Sequence, residues 1–203
     1  LDFAEACSRT DHLNEGIDYL ERALAQTYDA VKKAQIRSRM IKMFLVYKED
    51  GRLKELSVKA LKDLGKPLVK SELINFALSI WEWIKGLISG FYLFPKAHLR
   101  KKYHDRLETL SDVYHVGGLA NYMMMDAIGW LHLALRTLYP ANVLGVSRAS
   151  ARAYVIYAAA MASMKLKNIA KGYLNRAVAI ADKLDDKGLH GALRFWVGGV
   201  TSM

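Results

Sequence analysis

The side chains able to do chemistry in this sequence are few and scattered. His98 and His104 lie six residues apart around a basic run. That spacing does not stack on one helix face, and the neighbouring Lys and Arg would repel a cation, so two solvated histidines are expected rather than a metal site. Asp105 and Glu108, three apart, could share acid–base work. With Lys101, Lys102 and Arg106 beside them, they read as members of ordinary intrahelical ion pairs. Cys7 has no convincing histidine partner in the local sequence. His115 and His132 fall on largely apolar helices and are expected to be buried or half-buried, satisfied by a carbonyl. The chain contains no G-x-x-x-x-G-K-[ST] phosphate cradle, dinucleotide fingerprint or H-E-x-x-H pair. We assign no catalytic residue, no metal ligand and no cofactor, and do not read this segment as an enzyme.

Two clusters could bind rather than react. Lys96, Arg100, Lys101, Lys102 and Arg106 form the densest basic patch of a chain whose net charge is +10. A solvated face is the first reading, and an acidic protein or lipid surface the second. Nucleic acid is not expected, because neither a recognition helix nor a stacking platform accompanies the charge. Met123, Met124 and Met125, with Tyr122 and Trp130, make an adaptable apolar strip that reads first as core filling.

Helices must position these groups. The 203 residues are rich in Leu, Ala, Met, Lys and Arg and contain three prolines, while long β-branched alternating runs are absent. Apolar periodicity predicts helices over about 13–27, 28–48, 52–64, 71–94, 97–115, 120–138, 147–164, 169–184 and 188 to the end. Gly65, Pro95, Gly117-Gly118 and Pro140 serve as stops. The one cysteine excludes an internal disulfide and suits a reduced, cytoplasmic compartment. Both ends look like cuts through a longer protein, with 1–203 a single helical segment.

A repeat runs through this pattern. Ala158 precedes Ala170 by twelve residues, and Leu174 and Ala177 follow at +4 and +7, the spacing of a tetratricopeptide repeat. A shift of 34 carries Ala158 to Ala192 and Met161 to Phe195, while Gly16, Leu20 and Ala23 repeat the Ala170, Leu174, Ala177 pattern. The predicted fold is all-α, a superhelix of antiparallel helix pairs, with a plain helical bundle as the alternative.

The stretch Arg148-Ala149-Ser150-Ala151-Arg152-Ala153-Tyr154 and the run from Lys171-Gly172-Tyr173-Leu174 through Ala181-Asp182 resemble the helical region of multidomain signalling ATPases of the AAA or STAND type, often fused to cyclase or kinase domains. Ile17-Asp18-Tyr19-Leu20-Glu21-Arg22-Ala23-Leu24, Leu64-Gly65-Lys66-Pro67 and the segment 114–138 are similar to other parts of that region. The resemblance implies sensing, partner docking or regulation of an attached ATPase or cyclase domain, and supplies no catalytic residues.

The expected function is therefore protein or peptide binding. Arg152, Tyr154, Tyr157 and Met161 are expected on the lining helix of a concave face, with Arg152 and Tyr154 the most exposed. The alternatives are a relay between flanking domains of the same chain and a ligand pocket near Trp81, Trp83 and Trp130. The apolar segment 73–94 reads as a core or interface helix. Peripheral membrane contact is a second possibility and a span a third, opposed by Asn75, Glu82 and Lys85 within it. If uncovered, it is a docking site.

Overall fold

The computed structural model describes residues 12–47, 50–69, 71–91, 101–191 and 193. These form nine helices and no strand. They are α1 (Leu13–Gln26), α2 (Ala30–Tyr47), α3 (Asp50–Asp63), α4 (Glu72–Phe91), α5 (Lys101–Met123), α6 (Ala127–Arg136), α7 (Leu138–Leu144), α8 (Arg148–Ser163) and α9 (Lys167–Leu184). The chain is all-α, as expected. Residues 187–191 begin a further helical turn.

Helix α5 is the spine. It packs against α2 and α3 on one side and against α6, α7 and α8 on the other. Val116 and Ala120 close a core with Ile17, Leu20, Met40, Phe44 and Leu53 from the first three helices. Val113 and Tyr114 join Ala34, Leu61, Leu64 and Leu133 in a second. A third core centres on α8, every residue of which from Ala153 to Ala162 is buried. Ala158 of α8 and Ala170, Leu174 and Ala177 of α9 all lie in it. Small residues at these sites let the two helices approach closely. Ala192 and Phe195, on which the 34-residue equivalence rests, lie outside the residues whose side chains are described.

One turn geometry recurs. Helices α3, α5, α8 and α9 each run into a left-handed residue, respectively Gly65, Met125, Lys165 and Asp185, with φ of 68°, 58°, 63° and 47°. In each case the next amide reaches back to the carbonyl five residues earlier: Lys66 to Leu61, Asp126 to Asn121, Leu166 to Met161 and Asp186 to Ala181. This is the Schellman arrangement, which satisfies carbonyls that a helix end leaves bare. It joins α5 to α6 and α8 to α9 as tight hairpins. Starts are capped locally. Asp126 accepts from the Gly129 amide at 2.8 Å and Ser147 from the Ser150 amide at 3.1 Å.

Two expected stops are corrected. Gly117-Gly118 does not break a helix, since α5 continues to Met123. A Cβ on Gly117 would stand 3.1 Å from Leu133 Cδ1 and 3.4 Å from Ser57 Oγ, so glycine there serves close approach of α3 and α6 to α5. Pro140 closes nothing. It is the third residue of α7, where the first-turn amide has no intrahelical partner to lose.

These observations fix two opposite signs. Lys165→Gly is expected to stabilise the fold by about 0.5–1 kcal/mol by relieving a left-handed Lys. Gly117→Ala, which in an open helix would be favourable, is expected to cost about 1–3 kcal/mol through overpacking. Urea unfolding of both variants checks this, and a stabilising Gly117→Ala would contradict the packing described.

Candidate functional site

Helix α4 lies across α6 and α7, and its two faces differ in kind. The inner face is tied down by polar groups. Arg136 of α6, itself buried, donates through Nε to Ser79 Oγ at 3.1 Å and through Nη2 to the Asn75 carbonyl at 3.3 Å. Trp83 Nε1 donates to the Tyr157 hydroxyl at 2.8 Å. Asn142 Nδ2 donates to the Gly86 carbonyl at 2.7 Å. Lys66 and Lys85 both reach Glu82 Oε1 at 2.7 Å. Burial alone would raise the Glu82 carboxyl, but these two ammonium groups reverse that and hold it below the ordinary carboxylate range. Between the tethers, Ile80, Trp83 and Leu87 pack on the α8 core. Gly86 permits the contact, because a Cβ there would come within 2.9 Å of Leu138.

The outer face is apolar and open. Ile74, Ala77, Trp81, Ile84 and Ile88 follow one another at alternating steps of three and four. Ile74 is 49 %, Trp81 58 %, Ile84 38 % and Ile88 50 % exposed, with Leu73 and Leu78 also exposed beside them. Phe76 turns toward α6, its ring 5.9 Å from that of His132. Steps of three and four align these side chains along one face of the helix, and with Leu73, Phe76 and Leu78 also exposed the apolar surface widens toward its N-terminal half. No described helix is long and apolar enough to cross a membrane.

The residues singled out from sequence fall elsewhere. Arg152 is exposed, with Nη1 3.9 Å from Asp112. Tyr154, Tyr157 and Met161 are buried, which corrects the expectation that Tyr154 stands on the surface. Helix α8 is sandwiched between α9 on one side and α5, α6 and α7 on the other, and between its ends only the Arg152 position is exposed. The Tyr154 hydroxyl donates to Asn142 Oδ1 at 2.6 Å, and burial raises its pKa to about 12.

In the basic cluster, Lys96 and Arg100 lie outside the described residues, as do the side chains of Lys101 and Lys102. Arg106 Nη2 donates to the Leu64 carbonyl at 2.8 Å, finishing the end of α3. His98 and Cys7 also fall outside. Among the described residues no group of three His, Cys, Asp or Glu side chains could hold a metal. Met123 and Met125 are exposed, contrary to a core-filling role, whereas Met124 packs on the α1–α3 core.

His132 is buried as expected. His115 Nδ1 is buried too, but it has no carbonyl partner. Burial lowers its pKa to about 4, against the upward pull of Asp112. Asp112 accepts from Ser38 and from Lys42, and Lys42 outweighs the burial that would otherwise raise its carboxyl. This cluster joins α2 to α5. Ser38 bonds the carboxylate rather than the imidazole, so it is not arranged as a nucleophile.

Among the described residues, one cavity of about 410 Å³ is floored by Leu24, Met40, Phe44 and Leu56. Another, of about 300 Å³, is lined by Asn142, Tyr154, Arg176 and Lys183 among others. No tryptophan lines either, so Trp81, Trp83 and Trp130 do not converge on them. No family model, no curated protein and no solved structure matches this chain.

Two outcomes test these contacts. Tyr154→Phe, which leaves Asn142 Oδ1 without its donor, is expected to cost about 1–3 kcal/mol in urea unfolding with the fold retained. His115 is held neutral in the fold, so the unfolded chain binds more protons below pH 6.5. Its contribution to stability is lost as pH falls from 6.5 through 4. The drop between pH 7 and pH 4.5 is expected to shrink by about 2 kcal/mol in His115→Gln. An unchanged drop would place His115 in contact with water.

Proposed function

We propose that this chain is a protein-interaction segment of a larger signalling protein, and that the open face of α4 is where its partner helix docks. One observation carries this reading. A helix anchored by five polar contacts on its inner side leaves Ile74, Ala77, Trp81, Ile84 and Ile88 uncovered in a continuous seam. Apolar side chains scattered singly are normal on a surface, but a contiguous strip marks a contact. The strip needs no chemistry to function as a docking surface.

The superhelical arrangement is part of the same proposal. The recurrent left-handed turn and the small residues between α8 and α9 support a stack of helical hairpins of the tetratricopeptide kind. The resemblance of 148–154 and 171–182 to the helices of signalling ATPases supports a regulatory setting, with the partner helix supplied by another protein or by a flanking domain.

Photo-crosslinking tests the docking site. A benzophenone side chain placed at Trp81 in the protein in its native cells is expected to give a polypeptide adduct, whereas one at Lys62, exposed on α3, is not. An adduct within the same polypeptide supports the relay form of the reading. Adducts with lipid alone at position 81 would contradict it.

A further inference from the structure

We infer that the cavity of about 300 Å³ between the C-terminal end of α4, the α7–α8 turn and α9 is a binding site for a phosphate monoester. Its lining includes none of the seam residues of α4, so the two surfaces are separate. Arg176, Ala179, Ile180 and Lys183 recur at steps of three and four, so one face of α9 forms a wall with a cation at either end. Asn142 of α7, Tyr154 of α8 and Gly90 of α4 share the lining. Asn142 is 3 % exposed. Its Oδ1 accepts from the Tyr154 hydroxyl, and Nδ2 donates one hydrogen to the Gly86 carbonyl. An amide nitrogen carries two hydrogens, and the second has no acceptor among the described residues. Gly90 leaves room beside it, since a Cβ there would stand 3.1 Å from Asn142 Nδ2. A buried donor left without an acceptor is costly, and a ligand oxygen in the cavity would supply one.

Charge selects the ligand class. No carboxylate lines the cavity, and neither Arg176 nor Lys183 forms an ion pair among the described residues. Asp182, Asp185 and Asp186, close to Lys183 in the chain, all lie outside the lining. Asp182 Oδ1 stands 3.3 Å from His190 Nε2, and Asp186 holds Arg148. Arg176 is positioned by stacking. Its Cζ lies 4.9 Å from the centroid of the Tyr173 ring, which meets Tyr157 edge-on at 4.6 Å. Stacking occupies one face of a guanidinium and leaves its N–H edge free for an oxyanion. A phosphate monoester carries about −1.5 to −2 charges at pH 7 and three acceptor oxygens, so it balances two cations where a carboxylate balances one. Val146, Ala179 and Ile180 make part of the lining apolar, which suits the carbon side of an ester better than inorganic phosphate. The volume is at the lower end for small-molecule sites, so it holds a small ester or the phosphate head of a larger one.

Titration of the full chain with phenyl phosphate, followed by calorimetry and by the side-chain amide resonance of Asn142, tests the site. Phenyl phosphate is expected to bind with a Kd on the order of 1 mM or tighter and to shift that resonance. Benzoate, of the same ring and half the charge, is expected to bind about 10-fold more weakly. Arg176→Gln and Lys183→Gln are each expected to weaken phenyl phosphate about 10-fold with circular dichroism unchanged. Lys171→Gln, exposed on α9 but outside the lining, is expected to bind as the parent does. Phosphatidylcholine vesicles with and without phosphatidic acid separate the two sources of the ester. Binding that Arg176→Gln weakens and Lys171→Gln does not supports the site with either probe. Seen with phenyl phosphate alone it marks a soluble ester, and with phosphatidic acid alone a lipid headgroup. Failure of both probes to bind overturns the inference. Equal binding of benzoate overturns it too, as does an equal loss in Arg176→Gln and Lys171→Gln.

Discussion

The buried guanidinium of Arg136 and the contacts around it determine which way α4 faces. A buried donor must find an acceptor or cost one to several kcal/mol, and Arg136 finds its acceptors on α4, at Ser79 and at the Asn75 carbonyl. Trp83 with Tyr157, and Asn142 with Gly86, fasten the same face farther along. Rotating α4 to hide Trp81 and its neighbours would orphan all of these groups. It would also expose Ile80, Trp83 and Leu87, so no apolar burial would be gained in exchange. The outward seam is therefore a consequence of the inner contacts.

The platform beneath α4 owes its rigidity to α5, which enters the first two cores and, through Leu107, a smaller cluster with Leu144 and Ala149. Polar links reinforce the spine where it meets α2: Gln35 with Thr109, and Ser38 and Lys42 with Asp112. The Arg37–Asp63 pair fastens α2 to α3 in the same region. Helices α8 and α9 pack through small residues, so that side is held by close backbone approach, whereas α4 adds polar side chains reaching across to the packing of Ile80, Trp83 and Leu87. A helix retained in that way is the part of the structure best suited to present a surface without contributing its outer residues to the core.

The all-helical class and most helix positions could be read from apolar periodicity, because amphipathic spacing reports burial directly. Turns were harder. The rule that glycine ends helices succeeded at Gly65 and failed at Met125, Lys165 and Asp185, where hairpin packing holds ordinary residues in the left-handed region. It also misled at Gly117, whose missing side chain makes room for Leu133. Tyr154 and Tyr157 looked like groove residues because a repeat pattern specifies spacing but not which side of a helix a further layer covers. The seam was visible in principle as alternating steps of three and four from Ile74 to Ile88. It was masked by Ile80, Trp83 and Leu87, which make 73–94 look uniformly apolar. Only the positions of Arg136, Asn142 and Tyr157 separate the two faces.

The central claim is that protein covers the outer face of α4 in the working assembly. Hydroxyl-radical footprinting measures this directly by comparing side-chain oxidation in the assembled protein with that in the dilute isolated chain. Trp81, Ile84 and Ile88 are expected to be protected several-fold on assembly, while Tyr28, 93 % exposed and remote from α4 in sequence, is oxidised equally in both. Equal oxidation of Trp81 in the two states would contradict the account.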